Sequence, residues 1–154
     1  MRIDGNTKVY GIIGNPVSHS FSPAMHNAAF EATGFNGVYV PLPVINPSRL
    51  GHALDQLSIA GASVTIPWKV HALKIAKAVD PQAKLSGAAN TLYRDSAGIL
   101  RATNTDGSGA VLSLVKDGVE IKGKKIAVLG AGGSARAIVA ALLAESPQEI
   151  MVAA

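Results

Sequence analysis

Residues 125–135 read KIAVLGAGGSA, in which Gly130, Gly132 and Ala135 fit the spacing G-x-G-x-x-G/A. An apolar stretch leads into this segment and a run of small residues leads out of it. That strand–turn–helix setting is the one in which the spacing binds the pyrophosphate of a dinucleotide. Gly130 permits the tight turn, Gly132 lets the backbone approach the phosphates, and Ala135 keeps helix against strand. Along Gly130, Ala131, Gly132, Gly133, Ser134 and Ala135 the helix start would offer unpaired amides and a partial positive charge. The plainer alternative is a glycine turn with no ligand.

The other residues equipped for chemistry lie earlier, each at the end of an apolar stretch. In open α/β sheets that is where ligands bind. Ser20 and Ser22 place two hydroxyls beside a helix start, a good cradle for a carboxylate. Ser22 is equally suited to cap that helix at Pro23. Lys69 follows Thr65 and Pro67; a solvated lysine at a helix start is the ordinary reading. Asp106 is also explained by the dipole of the helix it begins. Asn90 and Thr65 are also explained as strand-end and turn residues. His19, His26, His52 and His71 show no metal-ligand spacing and read as surface or capping residues. No metal site is expected, and Trp68 and Met25 read as packing residues.

These positions require a particular succession of elements. Apolar stretches predict strands over 8–14, 37–43, 61–66, 87–94, 98–103, 125–130 and 149–153, the 125–130 strand being of the buried type. Helices are expected over 22–33, 48–57, 68–78, 104–116 and 132–145, with Val111, Leu112 and Val115 sharing a face. Gly34 should stop the first helix. Pro41 and Pro43 favour an edge position for their strand. The turn Asp95-Ser96-Ala97-Gly98 predicts a hairpin. This alternation implies an α/β fold, a three-layer α/β/α unit with a mostly parallel sheet, followed by the first βαβ of a Rossmann domain. The polar connector 117–123 places the division between residues 1–120 and 121–154.

Composition removes several classes. The chain has 154 residues, no cysteine, 48% hydrophobic residues and a net charge of +4. Disulfide scaffolds, zinc ribbons and thiol nucleophiles drop out. No apolar run approaches the ~20 residues of a membrane span, and the N-terminus lacks a signal-peptide core. The basic residues are scattered without interleaved aromatics, so neither nucleic acid nor membrane is an expected partner. A cytoplasmic protein is the expectation.

The segments GNPVSHSFSP (14–23), GASVTIPWK (61–69), GAANTL (87–92), NTDGSG (104–109) and GAGGSARA (130–137) occur in one ordered series. Together they resemble the shikimate dehydrogenase family, over nearly the whole chain. The resemblance implies reversible NADP-dependent reduction of 3-dehydroshikimate to shikimate, in aromatic amino acid biosynthesis. It implies that Ser20 and Ser22 hold the substrate carboxylate and that Thr65 and Asn90 bond its hydroxyls. Lys69 is implied as the catalytic group that exchanges the hydroxyl proton. Asp106 pairs with it, and its benefit is orientation rather than base strength.

One departure is Ser63, where the family commonly has asparagine; a serine is shorter and has one donor instead of two. The residue that separates NAD from NADP should fall about 20 residues after Gly130, where the sequence ends. A single βαβ unit cannot cover both faces of a sheet, so the chain is expected to be a fragment or truncated form. Its exposed apolar surface is expected to recruit a partner chain, self-association included, or to stay mobile. Two rival functions stay open: an NAD-preferring quinate/shikimate dehydrogenase, and a shikimate-binding fragment that catalyses nothing.

Overall fold

The computed structural model describes residues 3–154. The first unit runs β1 (Lys8–Gly14), α1 (Ser22–Thr33), β2 (Gly37–Pro43), α2 (Leu50–Gln56), β3 (Gly61–Val64) and α3 (Lys69–Ile75). It continues through β4 (Ala78–Val79), α4 (Pro81–Ser86), β5 (Thr91–Arg94), β6 (Leu100–Thr103) and α5 (Asp106–Lys116). The second comprises β7 (Lys125–Leu129), α6 (Gly133–Ala144) and β8 (Glu149–Ala153).

Six strands form one sheet in the order β2-β1-β3-β5-β6-β4. The pairs β1–β2, β1–β3 and β4–β6 are parallel, and only β5 runs against its neighbours. As the two prolines imply, β2 is an edge strand. The expected hairpin is the antiparallel β5–β6 pair.

Alternation along β1 sends neighbouring side chains to opposite faces. Ile13 enters a core with Leu50 and Leu54 of α2, Ala72 of α3, Ala83 of α4, and Val64, Leu92 and Ala102 of the sheet. Ile12 joins Val17 and Tyr39 on the other face, where Phe30 of α1 packs. The result is a three-layer arrangement, α1 on one side and α2 to α4 on the other. A third cluster joins Val111 of α5 and Ile121 to Leu142 of α6, with Ile126 and Ile150 of the β7–β8 pair around it. It therefore joins both sides of the 120/121 division expected from the sequence, with Val111 before it and Ile121 and Leu142 after it.

Several expectations need correction. Ser22 is the first residue of α1 rather than its cap: Phe21 takes the cap position, and the Ser20 hydroxyl accepts the Ser22 amide at 3.2 Å. The 48–57 helix begins as a 3₁₀ turn, Pro47–Arg49, and continues as α2. The 68–78 helix ends at Ile75, because Ala76 is already extended and Ala78 pairs with Arg101 as β4. After β4 comes α4, bracketed by Pro81 and by Gly87 in the left-handed region. Two elements of two and six residues are too short to show a period. Leu112 and Val115 are exposed while Val111 is buried, so α5 presents a narrower apolar face than expected. β7 alternates between exposed and half-buried rather than being buried, because among the described residues its only sheet partner is β8 and its packed side faces α5 and α6. Leu129, Met151 and Val152 are left exposed. His26 stacks on Tyr39 with ring centroids 4.3 Å apart, and the Nε2 of His71 is buried, so neither is a surface or capping residue. Among the described residues no helix is long and apolar enough to cross a membrane.

Candidate active site

Strand directions explain why distant residues meet. β1, β3 and β6 run the same way, so their carboxyl ends share one edge of the sheet. β5 runs the other way, which brings its amino end to that same edge. Thr65 follows β3, Asn90 precedes β5, and Asn104 to Asp106 follow β6. Main-chain bonds lock this edge: Val64 N–H donates to the Asn90 carbonyl at 2.6 Å, Asn90 N–H to Thr103 at 3.2 Å, and Thr65 N–H to Ile13 at 2.8 Å.

Lys69 opens α3, and its carbonyl accepts the Ala89 amide at 2.8 Å. Its Nζ donates to Asp106 Oδ2 at 2.6 Å and to Ser134 Oγ at 2.8 Å. The lysine and aspartate side chains are only 15% and 23% exposed. Asn90 Nδ2 donates to Asp106 Oδ1 at 2.7 Å and to Thr105 Oγ1 at 2.9 Å. The Asn90 Oδ1 accepts from the Thr105 amide at 3.1 Å and from the Thr91 hydroxyl at 2.8 Å. Burial pushes the Asp106 carboxyl up. Hydrogen bonds from Lys69, Asn90 and Ser134, with the lysine charge, outweigh that and hold it below the ordinary carboxylate range.

Behind the pair stands Asn104, a residue the sequence reading passed over. It is 3% exposed. Its Oδ1 accepts the Asp106 amide at 3.0 Å, and its Nδ2 donates to the Ala88 carbonyl at 2.9 Å. Asn104 thereby fixes the turn from β6 into α5. The signal available was an asparagine two residues before a helix-opening aspartate, the pattern of a side chain that bonds the backbone two residues on.

Ser20 and Thr65 line a neighbouring cleft of about 440 Å³ with Asn15, Val17, His19, Phe21 and Ile66. Among the described residues the hydroxyls of Ser22 and Thr65 have no partner in the chain. The structure thus brings Lys69, Asp106, Asn90 and Ser134 into one hydrogen-bonded group and sets Ser20 and Thr65 in the adjoining cleft, which Ser22 does not line. Ser63 lies elsewhere, in an aromatic hollow with Tyr10, His26 and Tyr39.

The glycine loop closes the group from the other side. Gly130 has φ +108°, a conformation that favours glycine. No atom lies within 4 Å of where a side chain would start at Gly130 or Gly132. The amides of Ala131, Gly132, Gly133 and Ser134 find no acceptor among the described residues. Open space and unpaired amides at a helix start fit a phosphate group. At Gly133 the loop sits directly on the first unit: a Cβ there would lie 3.2 Å from Ala88 Cβ and 3.4 Å from Lys69 Cβ. An ammonium and a carboxylate in contact, at a strand-end edge beside a loop of unpaired amides, can exchange a proton with a hydroxyl or carbonyl bound against them. Among the described residues no three histidine or carboxylate side chains are grouped as metal ligands.

Comparison with known proteins bears on this geometry. A family model described as the shikimate dehydrogenase substrate binding domain matches residues 12–92. A protein of Rubrobacter xylanophilus named shikimate dehydrogenase (NADP(+)) is 45% identical over 99% of this chain and 54% of its own length. One of the same name from Citrifermentans bemidjiense is 51% identical over 92% of this chain and 50% of its own. The chain spans about half the length of the curated relatives it matches. A crystal structure of a shikimate dehydrogenase with NADP+ superposes with a TM-score of 0.89 at 43% identity, over 99% of this chain and 53% of that one. The Listeria monocytogenes shikimate 5-dehydrogenase, in complex with shikimate and NAD, gives 0.88 at 35% identity, over 99% of this chain and 53% of that one.

Proposed function

Since the chain belongs to the family of the shikimate dehydrogenase substrate-binding domain, we propose that it supplies the substrate half of an NADP-dependent shikimate dehydrogenase of aromatic amino acid biosynthesis. Residues 1–120 would form that half, and residues 121–154 the opening of the nucleotide half. The reaction is 3-dehydroshikimate + NADPH + H⁺ ⇌ shikimate + NADP⁺. The observation that carries this reading is the 2.6 Å Lys69–Asp106 pair, held at the strand-end edge and facing the glycine loop.

NADP, when bound, supplies or accepts the hydride. The loop Gly130 to Ala135 would hold its pyrophosphate through the unpaired amides of Ala131, Gly132, Gly133 and Ser134. Lys69 gives a proton to the carbonyl oxygen under reduction and takes it from the hydroxyl in the reverse direction. Asp106 keeps the ammonium aimed, and Asn90 keeps Asp106 aimed through its 2.7 Å bond. Ser20, Ser22 and Thr65 bind the acid, the serines at its carboxylate and Thr65 at a ring hydroxyl. The unpaired hydroxyls of Ser22 and Thr65 support those roles. Positioning of this kind contributes several kcal/mol to a barrier.

Absorbance at 340 nm with shikimate and NADP⁺, beside Lys69→Ala and beside calorimetric titration of shikimate, tests the reading. Shikimate binding by the wild-type chain supports the substrate half, and any turnover it shows should be abolished by Lys69→Ala while shikimate still binds. Turnover retained in Lys69→Ala overturns the role of the lysine. A wild-type chain that neither turns over nor binds shikimate overturns the reading as a whole. NAD⁺ run in parallel reports the cofactor preference.

A further inference from the structure

The glycine loop does more than offer amides. Ser134, in the first turn of α6, directs its hydroxyl at the acid/base pair. The hydroxyl accepts from Lys69 Nζ at 2.8 Å and donates to Asp106 Oδ2 at 3.1 Å. With the 2.6 Å lysine–aspartate contact these bonds close a three-membered ring of polar atoms.

A lysine ammonium has three N–H donors on a flexible stem. One contact, to Asp106, leaves the ammonium free to swing about it. A second contact removes that freedom and leaves one N–H for a bound molecule. Gly133 presses on the stem of the same lysine, so the loop seats Lys69 along its length as well as at its tip.

We propose that Ser134 is a positioning residue for this reaction: its hydroxyl ties Lys69 and Asp106 to the glycine loop and holds the remaining N–H of the ammonium towards the substrate hydroxyl. The proposal rests on the function proposed above. It links the seat of the dinucleotide to the aim of the acid/base pair through one side chain. Lys69 is the charged group that faces Asp106; Arg136, two residues further along α6, bonds back to the Ala131 carbonyl at 3.3 Å instead.

The test uses the 154-residue chain as wild type, Ser134→Ala and Ser134→Thr. Alanine suits a helix start that is exposed, so the variant folds. Two quantities are read: the ¹³C titration of the Asp106 carboxyl, and the affinity for shikimate as a function of pH. Ser134→Ala should move the carboxyl titration upward, weaken shikimate about threefold to tenfold, as two solvent-screened hydrogen bonds to the charged pair are lost, and shift the pH profile of binding. Ser134→Thr, which keeps the hydroxyl, should restore all three. An unchanged titration and affinity in Ser134→Ala overturns the proposal. So does a shifted titration with unchanged affinity, which makes the contact structural only. A wild-type chain that binds no shikimate overturns the functional reading, and with it this role; the carboxyl titration then reports separately whether Ser134 acts on the pair.

Discussion

Asp106→Asn keeps the size of the side chain while removing its charge and one acceptor. In the wild type, Oδ1 accepts from Asn90 at 2.7 Å, and Oδ2 accepts from Lys69 at 2.6 Å and Ser134 at 3.1 Å. An asparagine offers one oxygen and one NH₂ group, so its nitrogen must meet a donor on one side. Asn90 cannot turn over to relieve this, because its own Oδ1 already serves the Thr105 amide and the Thr91 hydroxyl. At least one charge-assisted hydrogen bond is lost, about 1.5–3 kcal/mol in a dry site. Side-chain exposures of 15% and 23% for the pair let water screen part of that. The expected loss is therefore about 1.5 kcal/mol, or roughly 3–6 °C in melting temperature for a chain of this size. The pH dependence follows from the same contacts. The folded-state carboxyl lies below its unfolded value, despite burial, because of its donors. Its stabilisation is therefore present above the unfolded pKa of about 3.9 and is lost as pH falls through the lower folded value. Urea denaturation of both proteins at pH 7 and at steps down to about pH 3 measures the gap. It should be full at neutral pH and narrow on acidification. Equal stability at pH 7, or a gap that does not narrow, refutes the reasoning.

Gly107 and Gly109 lie two residues apart in α5 and should respond in opposite senses. A Cβ at Gly107 would run into the Ala137 carbonyl of α6, whereas Gly109 has open space around it. Gly107→Ala is expected to destabilise by about 1–3 kcal/mol, and Gly109→Ala to stabilise by up to about 1 kcal/mol, both read from thermal melts. Asn104→Ala should cost about 2 kcal/mol by leaving the Asp106 amide unpaired and taking one of two donors from the Ala88 carbonyl, which keeps the Ser86 hydroxyl, and should broaden the Asp106 resonances in NMR spectra. The exposed Leu129, Met151 and Val152 should promote self-association or raise amide exchange over 125–154. A monodisperse monomer by light scattering, with those amides as protected as the rest, would contradict this.

Much of the architecture was legible in the sequence because its elements are bounded by residues with strong local preferences. Gly34 ends α1, Pro41 and Pro43 mark an edge strand, and the Asp95–Gly98 turn sets the hairpin. β4 and α4 were not legible: each is held by tertiary contacts, Ala78 against β6 and Ala83 in the core, rather than by a period of its own. The exposure of β7 was equally invisible, since an apolar strand reads alike whether one face or both are covered. At the site, Lys69, Asp106 and Asn90 were marked by their motifs, and the structure adds the contacts among them. The direction of the Ser134 side chain was beyond reach, because a serine in a glycine loop looks the same whether its hydroxyl faces a phosphate or a lysine. Asn104 was overlooked because its work is done through the backbone of the residue it supports.

A map of amide shifts as shikimate is titrated into the ¹⁵N-labelled chain tests most directly whether the acid binds at the strand-end edge of the sheet. The largest changes should converge on Ser20, Ser22, Thr65, Asn90 and Asp106, along the one edge of the sheet where β1, β3, β5 and β6 bring them. Changes confined to the aromatic hollow around Tyr39, or no changes at all at saturating acid, would contradict binding there.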